Sequence, residues 1–576
     1  MYNEISNLIQ QKEYGKALQL ISDTEQNASS DFDTLAILEA EIYQQLHSKK
    51  DMFSAIKKGL QYNGRNYELY YMLGEYYLES NPFQAYLCFE NAEFYCHSAD
   101  DLPVIQEARK SLLSDGVHVP NASIIIVSYN AKKEMMLCLD SLRSTLPSSY
   151  EIIVVDNASA DGITDYLKKQ SDIKLICNKE NAGFPKGCNQ GIQAAAPDND
   201  ILLLNNDTVV MDNSIFWLRM GLYENASVGG TGSISNRVAN HQQIDDLQSP
   251  QQAFSYAAQH NIPMEYPYEK KLKLIGFAFL LKRTILNKIG LLDEQFSPGN
   301  YEDDDISFRM IQNGYQLLLC RNSFIYHFGN KSFAKDMDFY FNLCHDNFEK
   351  LKKKHGIDLP YYSYERREVV SFIPHDTTAP LHILEIGCGM GATLGYLQNT
   401  YPNARVWGIE LMENVVSAAQ NFIPTIQQGN IETMELDYPH NFFDYIIFAD
   451  VLEHLYSPEA ALKKVFPYLK DSGSVLASIP NLMHYSVILD LLKGNFTYSD
   501  SGILDRTHLR FFTSNEIGKL FYSCGYEIVS CDATAQVSQL SEEDETIYRT
   551  LLSLPGVAPE VNFQIYQHLI EAKKRL

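Results

Sequence analysis

The sequence predicts a multidomain α/β protein, with an N-terminal α-helical repeat domain followed by two separate β/α blocks. Three observations predict it. Residues 1–115 read as helix after helix with few strand signals. Residues 122–330 alternate strand-length apolar runs with helical stretches, and the alternation restarts at Leu381 after a charged, Pro-punctuated segment. At 576 residues the chain is too long for one core. Its hydrophobic content of 45% and charged content of 21% are those of an ordinary soluble protein. Acids outnumber bases 72 to 47, a net charge of −25, which argues against nucleic acid or an anionic membrane surface as a general partner. No apolar run approaches the ~20 residues of a membrane span. Met1-Tyr2-Asn3-Glu4 has neither a basic region nor an apolar signal core. The ten cysteines form no C-x-x-C pair, and most sit in hydrophobic segments as buried reduced thiols do. A cytoplasmic location, with no integral membrane segment, is the expectation.

In the helical domain (1–118), Tyr70, Leu73, Gly74 and Tyr77 precede Phe89 and Ala92, an alternation of large and small residues that lets paired helices nest. The spacing resembles a tetratricopeptide repeat. An earlier, degenerate copy has Leu35, Leu38 and Ile42 on one helix and Ala55, Ile56 and Leu60 on the next, and a Tyr14–Ala17–Leu18 fragment belongs to a still earlier unit. Two roles stay open: a cap packed on the neighbouring domain, or a groove that docks a protein acceptor or partner subunit.

In the first β/α block (119–357), strands are expected at 123–128, 151–155, 173–176 and 201–204, with helices near 132–144, 160–169 and 184–195. Near-continuous Ile/Val/Leu strands with helical crossovers imply a parallel sheet covered on both faces. Each of three strands stops in polar residues: Ser128-Tyr129-Asn130, Asp156-Asn157 and Asn205-Asn206-Asp207. Ligands of α/β sheets sit beyond the carboxyl ends of strands. Three further motifs follow in order: Asn181-Ala182-Gly183-Phe184-Pro185-Lys186-Gly187-Cys188-Asn189, Glu302-Asp303-Asp304-Asp305, and Tyr326-His327-Phe328-Gly329-Asn330-Lys331-Ser332. Gly183 and Gly187 are placed to let backbone approach a ligand ahead of a helix N-terminus.

Together these motifs resemble the family 2 glycosyltransferases of the GT-A fold. The resemblance implies a nucleotide-sugar donor framed by Val127, Ser128, Tyr129, Asp156, Asn157, Asn181, Gly183, Phe184, Asn189 and Asn206. It implies Mg²⁺ or Mn²⁺ on Asp207 and His327, with Asn205 where the family usually has a carboxylate. Asp303 aligns with the catalytic base, Glu302 with acceptor positioning, and Asp305 is expected to cap the following helix. Crowding four carboxylates should raise some of their pKa values towards useful basicity. In-line attack with one base would invert the anomeric carbon. Uridine and deoxythymidine carriers both fit, and the irregular 227–270 and 272–300 segments would select the sugar.

The segment 358–378 reads as a linker. The second block (379–535) opens with His382-Ile383-Leu384-Glu385-Ile386-Gly387-Cys388-Gly389-Met390-Gly391-Ala392, a strand running into a glycine turn. Glu410 ends the next strand, Asn430 lies in Gln428-Gly429-Asn430-Ile431, and Asp450 follows a later strand. This order resembles the class I S-adenosylmethionine-dependent methyltransferases. By that resemblance Glu385, Gly387, Gly389, Gly391, Glu410, Asn430 and Asp450 bind S-adenosylmethionine, with Asn430 reaching the adenine amine through its carbonyl. His454 and His508 are the two candidate bases, in segments resembling those of sugar O-methyltransferases. Alternatively, Asp450, Glu453 and His454 hold Mg²⁺. The tail (536–576) is expected to end in an amphipathic helix bearing Phe563, Tyr566, Leu569 and Ile570, a packing or homo-oligomer contact.

The expected function is a bifunctional enzyme that adds a sugar and O-methylates a sugar on a bacterial surface glycan or a glycoprotein such as flagellin. The alternatives are a partner-recruiting scaffold with one active catalytic domain, or methylation of a non-sugar acceptor.

Overall fold

In the computed structural model, which describes residues 1–27, 31–244, 247, 249–329, 337–375, 378–536 and 539–575, the chain divides between His355 and Gly356 into two compact units. The first unit begins with seven helices: Tyr2–Gln10, Tyr14–Asn27, Phe32–Gln45, Lys49–Tyr62, Tyr67–Tyr77, Pro82–Tyr95 and Leu102–Ser114. The first six pair in sequence, and the seventh packs on the sixth. Local chemistry starts them: Asn66 accepts from the Leu69 amide, and Asn81 caps Gln84 just before Pro82. A side chain at Gly74 would enter the Phe89 ring, so the small–large nesting read from the sequence is present.

The helices are docked. Their core continues into Phe216, Trp217 and Met220 of the helix Ser214–Leu222. Buried Arg219 ties the contact together, donating to Glu90, to Tyr150 Oη at 2.9 Å and to the Pro120 carbonyl at 2.9 Å. The helical segment is thus a cap on the β/α layer of its own unit.

That layer is a nine-stranded sheet of β1 (Ala122–Ser128), β2 (Glu151–Asp156), β3 (Ile173–Cys177), β4 (Asp200–Asn205), β5 (Thr208–Val210), β6 (Val228–Ile234), β7 (Tyr268–Lys271), β8 (Ala278–Leu281) and β9 (Gln316–His327). Its order is β3-β2-β1-β4-β8-β6-β9-β5, with β7 also on β9. The β3-β2-β1-β4 half is parallel, as expected. Beyond it, β8 runs antiparallel to β4 and β6. All seven residues of β1 are buried, which is why its run lacks alternation.

The second unit is a seven-stranded sheet of β10 (His382–Ile386), β11 (Arg405–Glu410), β12 (Ile426–Gln428), β13 (Phe443–Ala449), β14 (Leu469–Pro480), β15 (Tyr526–Ala535) and β16 (Ile565–Lys574), in the order β12-β11-β10-β13-β14-β16-β15. Two expectations are corrected. The end of the tail is not a helix: β16 lies antiparallel between β14 and β15, with Leu569, Ile570 and Ala572 buried. Burial along β16 does not alternate, since His568, Leu569 and Ile570 are all buried, and its apolar spacing reads equally well as helical. Nor is 358–378 a free linker. Its helices Leu359–Tyr362 and Arg367–Val370 bury Leu359, Val369 and Val370, and the Ile373 carbonyl accepts from Tyr401 Oη at 2.9 Å. One-turn helices are too short to show a period. No helix among the described residues is long and apolar enough to cross a membrane.

Candidate active sites

In the first unit three strand ends stand level. Ser128 pairs with Asp156, and Val127 pairs with Asn205. Past β4 the chain turns through Asn206-Asp207 into β5, where Thr208 pairs with His327 at the end of β9. That register puts His327 Nε2 3.1 Å from Asp207 Oδ1 and 3.4 Å from Asn205 Nδ2. Nδ1 of His327 donates to the Arg237 carbonyl at 2.7 Å, so a neutral ring presents its Nε2 lone pair to a carboxylate oxygen. Such a pair needs a proton or a cation between its members. Burial opposes a charge on His327, but the hydrogen bond and charge of Asp207 outweigh it and hold the imidazole above its ordinary pKa. One carboxylate oxygen and one imidazole nitrogen, both mostly buried, suit a divalent ion such as Mn²⁺.

The carboxylate run forms the first turn of the helix Glu302–Gln312, entered through Tyr301 at φ 73. Its four acids differ sharply. Asp305 is fully buried among Arg309, Lys354 and His355 at 2.6–2.8 Å, and its pKa is lowered to about 2, burial being outweighed by those partners. Asp304 pairs with Lys273 at 2.7 Å. Glu302 is buried with Oε2 unpartnered, and burial followed by the charge of Asp303 pushes its pKa well up. Asp303 stays partly accessible; burial, then the charge of Asp304, pushes it up to about 6. Asp303 is tied to the Asp207–His327 pair through the segment Gly276-Phe277. Its Oδ2 accepts from the Gly276 amide at 3.0 Å, while the next residue, Phe277, accepts from the Asn205 amide at 2.8 Å and stacks its ring on His327, centroids 5.3 Å apart.

In the second unit Gly387, Gly389 and Gly391 all adopt positive φ, of 70, 54 and 80. The Tyr362 carbonyl approaches Gly389 so closely that a Cβ there would lie 2.7 Å from it, and the same carbonyl accepts from the Met390 amide at 2.9 Å. Glu385 is buried with Oε2 unpartnered, and burial pushes its pKa to about 8. Glu410 accepts from the amides of Gly389 and Met412 at 2.9 and 3.0 Å. Asp450 accepts from Ser478 Oγ at 2.6 Å and Gln567 Nε2 at 3.0 Å, and pairs with Arg366 at 2.5 Å. An orphaned buried carboxylate beside a turn that only glycine fits is the cradle a charged nucleoside cofactor requires. Beyond it the rings of His454 and His508 meet edge to face, centroids 4.7 Å apart.

Comparison with known proteins agrees with both geometries. Residues 123–290 match the family model for glycosyl transferase family 2, and residues 359–531 match one for a methyltransferase domain. The chain carries a glycosyl transferase family 2 domain and a methyltransferase domain. An uncharacterized glycosyltransferase of Haemophilus influenzae is 25% identical over 33% of this chain and 62% of its own length. The UDP-Glc:alpha-D-GlcNAc-diphosphoundecaprenol beta-1,3-glucosyltransferase WfaP of Escherichia coli is 25% identical over 33% of this chain and 70% of its own length. On the methyltransferase side, the "Probable S-adenosylmethionine-dependent methyltransferase" of Mycolicibacterium smegmatis is 25% identical over 30% of this chain and 62% of its own length. For the Haemophilus and Mycolicibacterium proteins the chain spans less than two thirds of the relative's length.

Val127, Ser128, Asp156, Asn205 and His327 stand at the carboxyl ends of their strands, and Asn206 and Asp207 form the turn that follows β4. Several expectations need correction. Asn189 faces the segment 292–294 rather than the strand ends: its amide donates to the Leu292 carbonyl and Glu294, and its carbonyl accepts from the Leu292 amide. Gly187 serves packing, since a Cβ there would lie 3.0 Å from Val127. Asp305 is no helix cap but a buried ion-pair centre. Asn157 and Asn181 hold the loop itself, to the Gly183 carbonyl at 3.1 Å and the Gly183 amide at 3.0 Å, while Phe184 donates to the Pro298 carbonyl. Asp156 accepts from Thr164 Oγ1 at 2.6 Å. Asn330, Lys331 and Ser332 lie outside the described residues.

In the methyltransferase domain, Asn430 accepts the Glu432 amide on its side-chain carbonyl at 2.8 Å. The sequence reading missed Arg366, Ser478 and Gln567, which surround Asp450. Paired arginines at 366–367 were the one signal, and the linker reading hid it.

Proposed function

We propose that this chain is a bifunctional enzyme: an inverting, metal-dependent transferase that moves a sugar from a nucleotide-sugar to an acceptor hydroxyl, and an S-adenosylmethionine-dependent O-methyltransferase acting on a sugar. The observation that carries it is the pairing of Asp207 with His327 beyond the strand ends, with Asp303 tied through Gly276-Phe277 to that pair. A divalent cation held by Asp207 and His327 would neutralise the departing diphosphate. Asp303, with its raised pKa, accepts the proton of the acceptor hydroxyl as that oxygen attacks the anomeric carbon and the sugar–phosphate bond breaks towards the diphosphate. Glu302, whose pKa burial and the charge of Asp303 push well up, positions the acceptor. The level ends Ser128, Tyr129 and Asp156 frame the nucleotide, and the uridine carrier in the name of the Escherichia coli relative favours a uridine donor.

In the second site S-adenosylmethionine supplies an electrophilic methyl group. Glu385, Glu410 and the glycine turn bind and orient the nucleoside. The acceptor oxygen bonds to the methyl carbon, the sulfur–carbon electron pair returns to sulfur, and the hydroxyl proton passes to a base at the His454–His508 pair, either an imidazole nitrogen or a water held beside it. Because one chain carries both sites, both reactions fit one growing glycan of a bacterial surface polysaccharide or glycoprotein, made in the cytoplasm.

Mass spectrometry of an acceptor pool incubated with UDP- and dTDP-sugars and Mn²⁺, with and without S-adenosylmethionine, tests this. A sugar increment, followed by a methyl increment only when the sulfonium cofactor is added, is expected. Wild-type protein that neither transfers nor hydrolyses any donor would sink the transferase half.

A further inference from the structure

Glu453, His454 and His508 form a cluster that the methyl-transfer reading leaves half explained. Each offers a ligand atom, and the three atoms lie within 4.8 Å of one another. Glu453 is 1% exposed, and neither of its carboxylate oxygens has a hydrogen-bond partner among the described residues. A carboxylate so placed is costly unless a proton or a cation meets it. Both rings are oriented for a cation. His508 Nδ1 donates to the Ile503 carbonyl at 2.9 Å. His454 Nδ1 lies 3.2 Å from the carbonyl and 3.2 Å from the hydroxyl of Thr507, and that hydroxyl already donates to Asp505 at 2.6 Å. Both Thr507 oxygens can therefore only accept from Nδ1. Both imidazoles carry their proton on Nδ1 and leave an Nε2 lone pair, the arrangement that a backbone carbonyl imposes on metal-bound histidine. Asp450 is excluded, because Arg366, Ser478 and Gln567 engage it.

We propose that Glu453, His454 and His508 bind a borderline divalent cation of the Zn²⁺ class, with an open position for the acceptor hydroxyl. Two imidazoles and one carboxylate favour such an ion over Mg²⁺, which takes oxygen ligands. His454, the most accessible of the three, leaves the site reachable from solvent. A cation here lowers the pKa of an oxygen it touches, so the acceptor hydroxyl gives its proton to solvent water at the His454 opening, and neither histidine is needed as a free base. This deepens the O-methyltransferase reading and rests on it.

The test uses untagged full-length protein carrying Asp207→Asn and His327→Ala, so that the other candidate site does not compete, titrated with Co²⁺ as a spectroscopic probe. One equivalent should bind, and the loaded protein should show hyperfine-shifted imidazole N–H resonances from two histidines. Adding Glu453→Gln or His508→Gln should weaken Co²⁺ binding by at least about a hundredfold while S-adenosylmethionine still binds. The proposal is overturned if the parent binds no Co²⁺, if the loaded parent lacks the two shifted resonances, or if neither added variant changes affinity. Methyl transfer that persists in metal-stripped enzyme would overturn the site and leave the reading standing. Co²⁺ binding without transfer to any sugar would do the reverse.

Discussion

Asp303 and Asp305 sit two residues apart on one helix, and their surroundings drive them in opposite directions. Asp303, raised to about 6 by burial and the charge of Asp304, must be ionised to accept a proton. Sugar transfer should therefore be full at neutral pH and fall as pH drops through about 6, with Asp303→Asn costing on the order of 10²–10⁴ in kcat at neutral pH and progressively less below about 6. A pH–rate profile that stays flat down to pH 5 would remove Asp303 from the role. Asp305 has its folded pKa depressed to about 2. Its stabilisation is complete above the unfolded value of about 4 and is lost as pH falls towards about 2. Asp305→Asn takes the shared buried anion from Arg309, Lys354 and His355, and should lower first-unit stability at pH 7 by roughly 2–3 kcal/mol, the worth of a carboxylate pKa lowered to about 2. Denaturant melts of the two proteins should differ at pH 7 and converge near pH 2. The sequence announced the crowding of four acids. Which acid meets a cation and which meets the cleft depended on Lys273, Lys354 and His355 from other elements, and that pairing has no local signal.

At the scale of elements, β16 is where local pattern and tertiary context disagree. Gln, Glu, Ala and Lys favour helices, and Phe563, Tyr566, Leu569 and Ile570 space like a helical face. Pairing on both sides with β14 and β15 overrides that preference. Ile570→Pro removes a donor within a central strand and should unfold the second unit, abolishing S-adenosylmethionine binding in calorimetry. An outer helical tail would tolerate the same change with binding intact. The converse holds for β1, β2, β4 and β10. Their long Ile/Val/Leu runs and abrupt polar or glycine ends were readable, because a fully buried parallel strand leaves few residue types to choose from.

For the whole molecule, the two units have separate hydrophobic cores, one set in residues 1–355 and another in 356–576. Each should fold when expressed alone. The 356–576 fragment should bind S-adenosylmethionine like the full chain, and the 1–355 fragment should hydrolyse donor sugar. Cutting instead at residue 378 should yield an insoluble second fragment, since Leu359, Val369 and Ile373 belong to its core; a soluble, cofactor-binding 379–576 fragment would contradict this. The helical cap has an analogous dependence, because Trp217 and Met220 are shared between its core and the sheet layer.

By itself the sequence determined the three-part order of the chain, the strand ends that carry Ser128, Asp156, Asp207 and Glu410, and the glycine turn at 387–391. Those features follow from short-range constraints: burial on both faces of a parallel strand, and backbone angles that suit glycine. Only the tertiary structure decided that His327 faces Asp207, that Asn189 faces away, that 358–378 closes over the glycine turn, and that Glu453 joins two histidines. Each of these depends on pairing residues dozens to more than a hundred positions apart, through strand registers and loop returns that no local periodicity encodes.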